Sequence, residues 1–158
     1  DLQISHPTVK RHIEILGDFF LVFSLPPWTR SIARTIRRER KFYFYDYGVV
    51  PGAAARFENL VAMELKSRCN LWTDAGSARF ELHYVRTRDN KETDFLLTRD
   101  SKPWALFEAK ISDGPIASHH YMHASSLGRI PLVQVCREPG VKIIGPDNTY
   151  RVSASSLF

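Results

Sequence analysis

Cysteine is scarce in this chain. Cys69 and Cys136 are the two present in 158 residues, and they form no C-x-x-C pattern. Neither a zinc ribbon nor a disulfide framework is indicated, and a reducing cytoplasm is the expected setting. Long hydrophobic runs are missing too. The longest, Phe19 to Leu25 with Ser24 inside it, is strand-sized, far short of the roughly 18 to 20 residues that a bilayer crossing needs. No membrane partner is expected, and no signal-peptide pattern opens the chain. The phosphate-loop pattern G-x-x-x-x-G-K-[ST] is absent, as is G-x-G-x-x-G, so nucleotide hydrolysis is not expected of this chain by itself. Repeats and low-complexity stretches are also lacking. The first residue is Asp1, with no methionine before it, in what reads as the middle of a domain. A fragment of a longer protein is expected.

Hydrophobic residues make up 44% of the chain and aromatics 12%, enough to build one compact core. The formal net charge of +5 suits a polyanionic partner without requiring one. Its strongest concentration is Arg30, Arg34, Arg37, Arg38, Arg40 and Lys41. Such a segment can follow phosphates, releasing counterions as it does so. A solvated linker is the equal alternative.

Ser5-His6-Pro7 supplies a cap and a proline for a first helical turn. Val9, Ile13 and Leu16 then recur at helical spacing until Gly17, which predicts a helix from about Pro7 to Leu16. Lys10 and Arg11 lie on its polar face, and an apolar strand follows at 19–25. A basic helix, a glycine and a strand are how a winged helix-turn-helix ends. An amphipathic helix solvated on one side is the plainer reading. A second strand is expected over 41–50, then a helix from about Arg56 to Cys69. Phe57, Leu60, Val61, Leu65 and Cys69 mark its buried side, with Glu58 at its start. Three antiparallel strands come next, at 80–88, 93–99 and 104–110, joined by turns rich in Asp, Asn and Lys. A helix at 116–127, a strand at 131–136 and a small terminal hairpin over 141–152 complete the order.

The chemistry concentrates in the meander. Along its third strand the alternation of faces sets Trp104, Leu106, Glu108 and Lys110 on one side. Asp94 interrupts an apolar run on the adjoining strand, where a lone buried carboxylate needs a partner. Asp94 and Glu108 could ligate magnesium or manganese through oxygen. Lys110 could position water or stabilise charge on a phosphate, and Glu58 could join through a metal-bound water. The structural alternative is that Lys110 simply neutralises Asp94 and Glu108. His119, His120 and His123 suggest zinc by their spacing, but no third ligand at suitable spacing accompanies them.

The segments Tyr43 to Gly48, Phe57 to Leu65, Tyr84 to Asp89, Lys91 to Leu97 and Phe107 to Lys110 together resemble an uncharacterised C-terminal domain of prokaryotic AAA-type P-loop ATPases. That domain belongs to the PD-(D/E)XK, restriction-endonuclease-like superfamily. The resemblance covers about Leu2 to Ile111. It implies an α/β chain with a restriction-endonuclease-like core of helix, three-strand meander, helix and strand, preceded by part of a winged helix. The boundaries would be 1–41 for the winged-helix segment with its basic linker and 42–158 for the nuclease-like domain. Glu58, Asp94, Glu108 and Lys110 match the superfamily's catalytic positions, with Asp94 and Glu108 as ligands for Mg2+ or Mn2+. Thr93 stands where the proline of the superfamily motif would be. DNA is the expected partner, met by Lys10, Arg11, Arg30, Arg34, Arg37 and Arg38. ATP would enter only through the ATPase domain of the full-length protein. The alternative is an inactive module that binds DNA or protein on behalf of that ATPase.

Overall fold

The computed structural model describes residues 5–29 and 39–158. Arg30, Arg34, Arg37 and Arg38, expected to meet DNA, lie outside the described residues.

Ser5 caps α1 (His6–Asp18), its hydroxyl accepting from the Thr8 N–H at 3.4 Å. The helix ends where Phe20 turns to a φ of 55°, a left-handed conformation that a bulky residue rarely takes. The stripe of Val9 and Leu16 is not buried: they remain 41% and 38% exposed. α1 packs mainly on the short strand β1 (Val22–Leu25), which is too small to cover it. β1 pairs antiparallel with β2 (Lys41–Phe44), Leu25 opposite Lys41, so the expected boundary between 41 and 42 falls inside a paired strand. The predicted strand over 41–50 is shorter than expected. Asp46 accepts from the Gly48 N–H at 2.9 Å and winds Tyr47–Val49 into a single 3₁₀ turn.

Helix α2 (Ala53–Asp74) runs past Cys69 because no helix breaker appears before Gly76. The meander follows as β3 (Phe80–Arg86), β4 (Glu92–Arg99) and β5 (Lys102–Lys110). Then come α3 (Ser118–Ser126), β6 (Leu132–Cys136), β7 (Lys142–Ile144), β8 (Thr149–Ser153) and the single turn α4 (Ala154–Leu157). The architecture is mixed α/β. One six-stranded mixed sheet has the order β3-β4-β5-β6-β8-β7. β5, β6 and β8 run parallel. The terminal hairpin is therefore part of the main sheet, since β8 docks on β6.

Both faces of the sheet are covered, which is why the consecutive residues Phe95, Leu96 and Leu97 are all fully buried. Under α2 lie Phe57, Val61, Leu65, Phe95, Leu97 and Phe107, joined by Phe23, Leu25 and Tyr43 from the first sheet. Under α3 lie Leu96, Leu106, Ala124, Ile130 and Leu132. No helix among the described residues is long and apolar enough to cross a membrane.

Two bulges re-aim side chains. His83 opposes Leu96 while Val85 opposes Thr93, so Asp94 and Phe95 together face the single residue Tyr84. Leu97 opposes Ala105 while Thr98 opposes Pro103, which leaves Trp104 as the extra residue on β5. Trp104 accordingly turns to the α2 side, against Trp72 and Phe80 with ring centroids 5.8 and 5.4 Å away. That corrects the expectation that it shares a face with Leu106, Glu108 and Lys110. Strict alternation fails there because a bulge inserts one residue.

Candidate functional site

The last cross-strand pair between β4 and β5 on one side is Phe95 with Phe107. Beyond it the strands part, and β5 goes on pairing with β6 alone, Glu108 beside Gln134 and Lys110 beside Cys136. Strand polar groups left in a buried gap need replacement partners. Two carboxylates provide them. Asp94 Oδ2 accepts from the Ala109 N–H at 3.0 Å, and Glu108 Oε2 accepts from the Asp94 N–H at 3.3 Å. Each acid is thus tied to the other's strand. Glu108 is 6% exposed, and its second oxygen receives the Lys110 ammonium at 2.6 Å.

On the α2 side of this fork Glu58 Oε1 accepts from the Tyr43 hydroxyl at 2.8 Å and from Lys41 Nζ at 3.2 Å. Lys41 also pairs with Glu92 and lies 3.8 Å from Asp94. Arg86 holds the other oxygen of Glu92 at 2.5 Å. Four carboxylates, Glu58, Glu92, Asp94 and Glu108, therefore share the cations Lys41, Arg86 and Lys110. Among the described residues, negative charge is in excess there. Burial, with the Glu108 and Glu58 charges added, pushes the Asp94 carboxyl up to about 8. Burial pulls Lys41 down, but Glu58, Glu92 and Asp94 outweigh it and hold the ammonium above its ordinary range. Lys110 is raised in the same way, by Glu108 above all.

Helix α3 closes the other side. Thr93 Oγ1 lies 2.8 Å from His120 Nδ1 and 2.7 Å from His123 Nδ1. His120 Nε2 faces Glu108 Oε1 at 3.6 Å. His119 Nε2 sits 3.0 Å from the Glu92 carbonyl oxygen. Burial first, then the neighbouring His119, pulls His120 down to about 3 and lowers His123 as well, which favours the neutral form of both rings. His119, His120 and His123 are occupied by protein atoms rather than converging as a zinc set.

The fold thus gathers Glu58, Asp94, Glu108 and Lys110 around one gap. Lys10 and Arg11 stay on the exposed helix α1, where Lys10 pairs with Glu14 at 3.7 Å. Sequence reasoning overlooked Lys41, Tyr43, Glu92, Thr93 and His120 as neighbours of the acids. Strand period held the signal for two of them: Lys41 and Tyr43 are inward while Phe42 and Phe44 are exposed, and Glu92 shares Asp94's partner Lys41. Nothing local announces that α3 lands on Thr93.

The superfamily resemblance implies magnesium or manganese. Among the described residues, no group of three or more His, Cys, Asp or Glu side chains is arranged to hold a metal ion. Magnesium asks for less, keeping several waters and taking one or two carboxylates. The hard oxygens of Asp94 and Glu108, in a gap where burial and then the Glu108 and Glu58 charges push the Asp94 carboxyl upward, fit that demand, because a cation there would offset the charge.

The comparisons with known proteins add no activity. A family model described as a domain of unknown function, DUF8612, matches residues 1–61. Two uncharacterised proteins, Rv2008c of Mycobacterium tuberculosis and Mb2031c of Mycobacterium bovis, are each 26% identical over 132 residues, covering 74% of this chain. The chain spans 28% of the length of these curated relatives. No solved structure gives a significant match.

Proposed function

We propose that this chain carries a restriction-endonuclease-like nuclease domain that hydrolyses phosphodiester bonds of DNA with magnesium or manganese, attached to a P-loop ATPase in the full-length protein. The observation that carries this reading is the fork between β4 and β5, where Asp94 and Glu108 are locked to each other's strand with Lys110 beside them. The element order of helix, three-strand meander, helix and parallel strand agrees with that superfamily. α1 with the β1–β2 pair agrees with the end of a winged helix.

Asp94 and Glu108 would hold the cation, which supplies a polarised phosphate oxygen and a water of lowered pKa. Lys110, positively charged and half exposed, stands where it can orient water and offset charge growing on the phosphate. Lys41 and Tyr43 fix Glu58, and Lys41 links it to Asp94. Lys10 and Arg11 offer an electrostatic footing for the DNA backbone.

A second reading is favoured by one specific contact. Lys41 already bridges Glu58, Glu92 and Asp94, a saturation suited to an inactive module that binds DNA or protein for the ATPase. Calorimetric titration of manganese into wild type and Asp94→Asn, run beside a plasmid-cleavage assay, separates the two. The nuclease reading expects metal binding and nicking in wild type, with nicking lost in Asp94→Asn and Lys110→Ala. A wild type that neither binds the ion nor nicks DNA overturns it.

A further inference from the structure

Thr93 occupies the place of the superfamily's proline, and its hydroxyl touches two imidazoles at once. That hydroxyl has one hydrogen. It can donate to the Nδ1 of one ring only, so the other Nδ1 must carry a proton and donate to Oγ1. With Oγ1 within hydrogen-bond distance of both Nδ1 atoms, one Nδ1 donates and the other accepts, and rings carrying one proton each hold opposite tautomers.

His123 settles which is which. Its Nε2 is buried without a hydrogen-bond partner among the described residues, and the residue is 4% exposed. A buried N–H with no acceptor is rarer and costlier than a lone pair with no donor. His123 accordingly carries its proton on Nδ1 and donates to Thr93. The Thr93 hydroxyl then donates to His120 Nδ1, and the His120 proton resides on Nε2. That N–H points at Glu108 Oε1 from 3.6 Å. The separation is longer than a hydrogen bond, but both groups are almost fully buried, so the attraction is weakly screened. Both hydrogen bonds run one way, from His123 to Thr93 and from Thr93 to His120, and the His120 Nε2–H then faces the carboxylate.

We propose that His123, Thr93 and His120 form a directed hydrogen-bond chain that turns the His120 Nε2–H toward Glu108 and, through that electrostatic contact, orients Glu108 as a cation ligand, with His120 a positioning residue and Thr93 the element that sets its tautomer. This rests on the metal-centre reading above. It gives the threonine a role that a proline in its place could not fill, because proline has no hydroxyl. Ligand-orienting groups of this kind typically change metal affinity on the order of 10- to 100-fold when removed.

Two measurements test it. Nitrogen NMR of histidine-labelled wild type, without metal, is expected to find His123 protonated at Nδ1 and His120 at Nε2. Manganese titration is expected to find Thr93→Val weaker than wild type by about tenfold or more, with Thr93→Ser restoring both affinity and tautomers. The same tautomer on both rings, or undiminished affinity in Thr93→Val, overturns the proposal. The wild-type tautomers decide the matter even where Thr93→Val fails to fold. A wild type that has the expected tautomers yet binds no manganese overturns the metal-centre reading instead, and the ligand-orienting role falls with it.

Discussion

Asp94 is held in the folded chain by the Ala109 N–H at 3.0 Å, while burial and then the Glu108 and Glu58 carboxylates disfavour its charged form. Its carboxyl titrates at about 8, against 3.8 for the free group. The folded state therefore binds this proton more tightly than the unfolded state does. Stability from that source is fully present below the unfolded value and is lost as pH rises through about 8. Asp94→Asn removes the charge while keeping an acceptor for Ala109. In thermal unfolding without divalent ions, the variant is expected to melt above wild type at alkaline pH, by an amount on the order of a few kcal/mol. The gap should close toward the unfolded carboxyl range. A variant less stable than wild type across the whole range would mean that Lys41 and the backbone already compensate Asp94.

At the scale of elements, the meander depends on its turns. Between β4 and β5 the chain reverses through Asp100 and Ser101, both left-handed with φ of 48° and 61°, the backbone of a tight type I′ hairpin. Asp100 also accepts from the Arg79 N–H at 3.0 Å, so it is tied to β3 and should be kept. Ser101 is exposed and pays the steric penalty of a Cβ in that region. Ser101→Gly is expected to stabilise the protein by a few tenths to about 1 kcal/mol, the left-handed penalty less the extra entropy of glycine. Urea denaturation reads this directly, and a destabilised variant would mean that the serine side chain holds the turn. The same hairpin explains a boundary difference: a turn of five residues at 99–103 was expected, and the tighter reversal lets β5 begin at Lys102. The bulges on either side of β4 have no such local signature. They arise where strands of unequal residue count must stay in register, and one of them decides which way Asp94 points.

In the whole molecule the first sheet is continuous with the main core. Phe23, Leu25 and Tyr43 are packed in the same cluster as Phe57 and Phe95, and Lys41 reaches across to the carboxylates. The first sheet and the large sheet are therefore expected to unfold together. Calorimetry should give one transition, and Leu25→Ala, at a site 1% exposed, should lower the stability of the whole by about 2–5 kcal/mol. A separate early transition that alone responds to Leu25→Ala would place the first sheet outside the cooperative unit.

Much of this was legible along the chain. Helical spacing marked α2 through Phe57, Leu60, Val61, Leu65 and Cys69, all buried as expected except Leu60, which is partly buried, because a helix repeats over a few neighbours. The strands of the meander and the order in which they come followed from apolar runs between turn residues. So did the candidacy of Asp94, Glu108 and Lys110, since an acid inside an apolar strand stands out by itself. What only the tertiary structure decided is which of these groups meet. Lys41 reaches the acids because β2 pairs with β1 and lies over α2. Thr93 reaches His120 and His123 because α3 crosses the far face of the sheet. Asp94 turns toward Glu58 because β4 carries one residue more than β3 between two ladder pairs. Each depends on contacts between residues distant in the chain, and local periodicity carries no information about those.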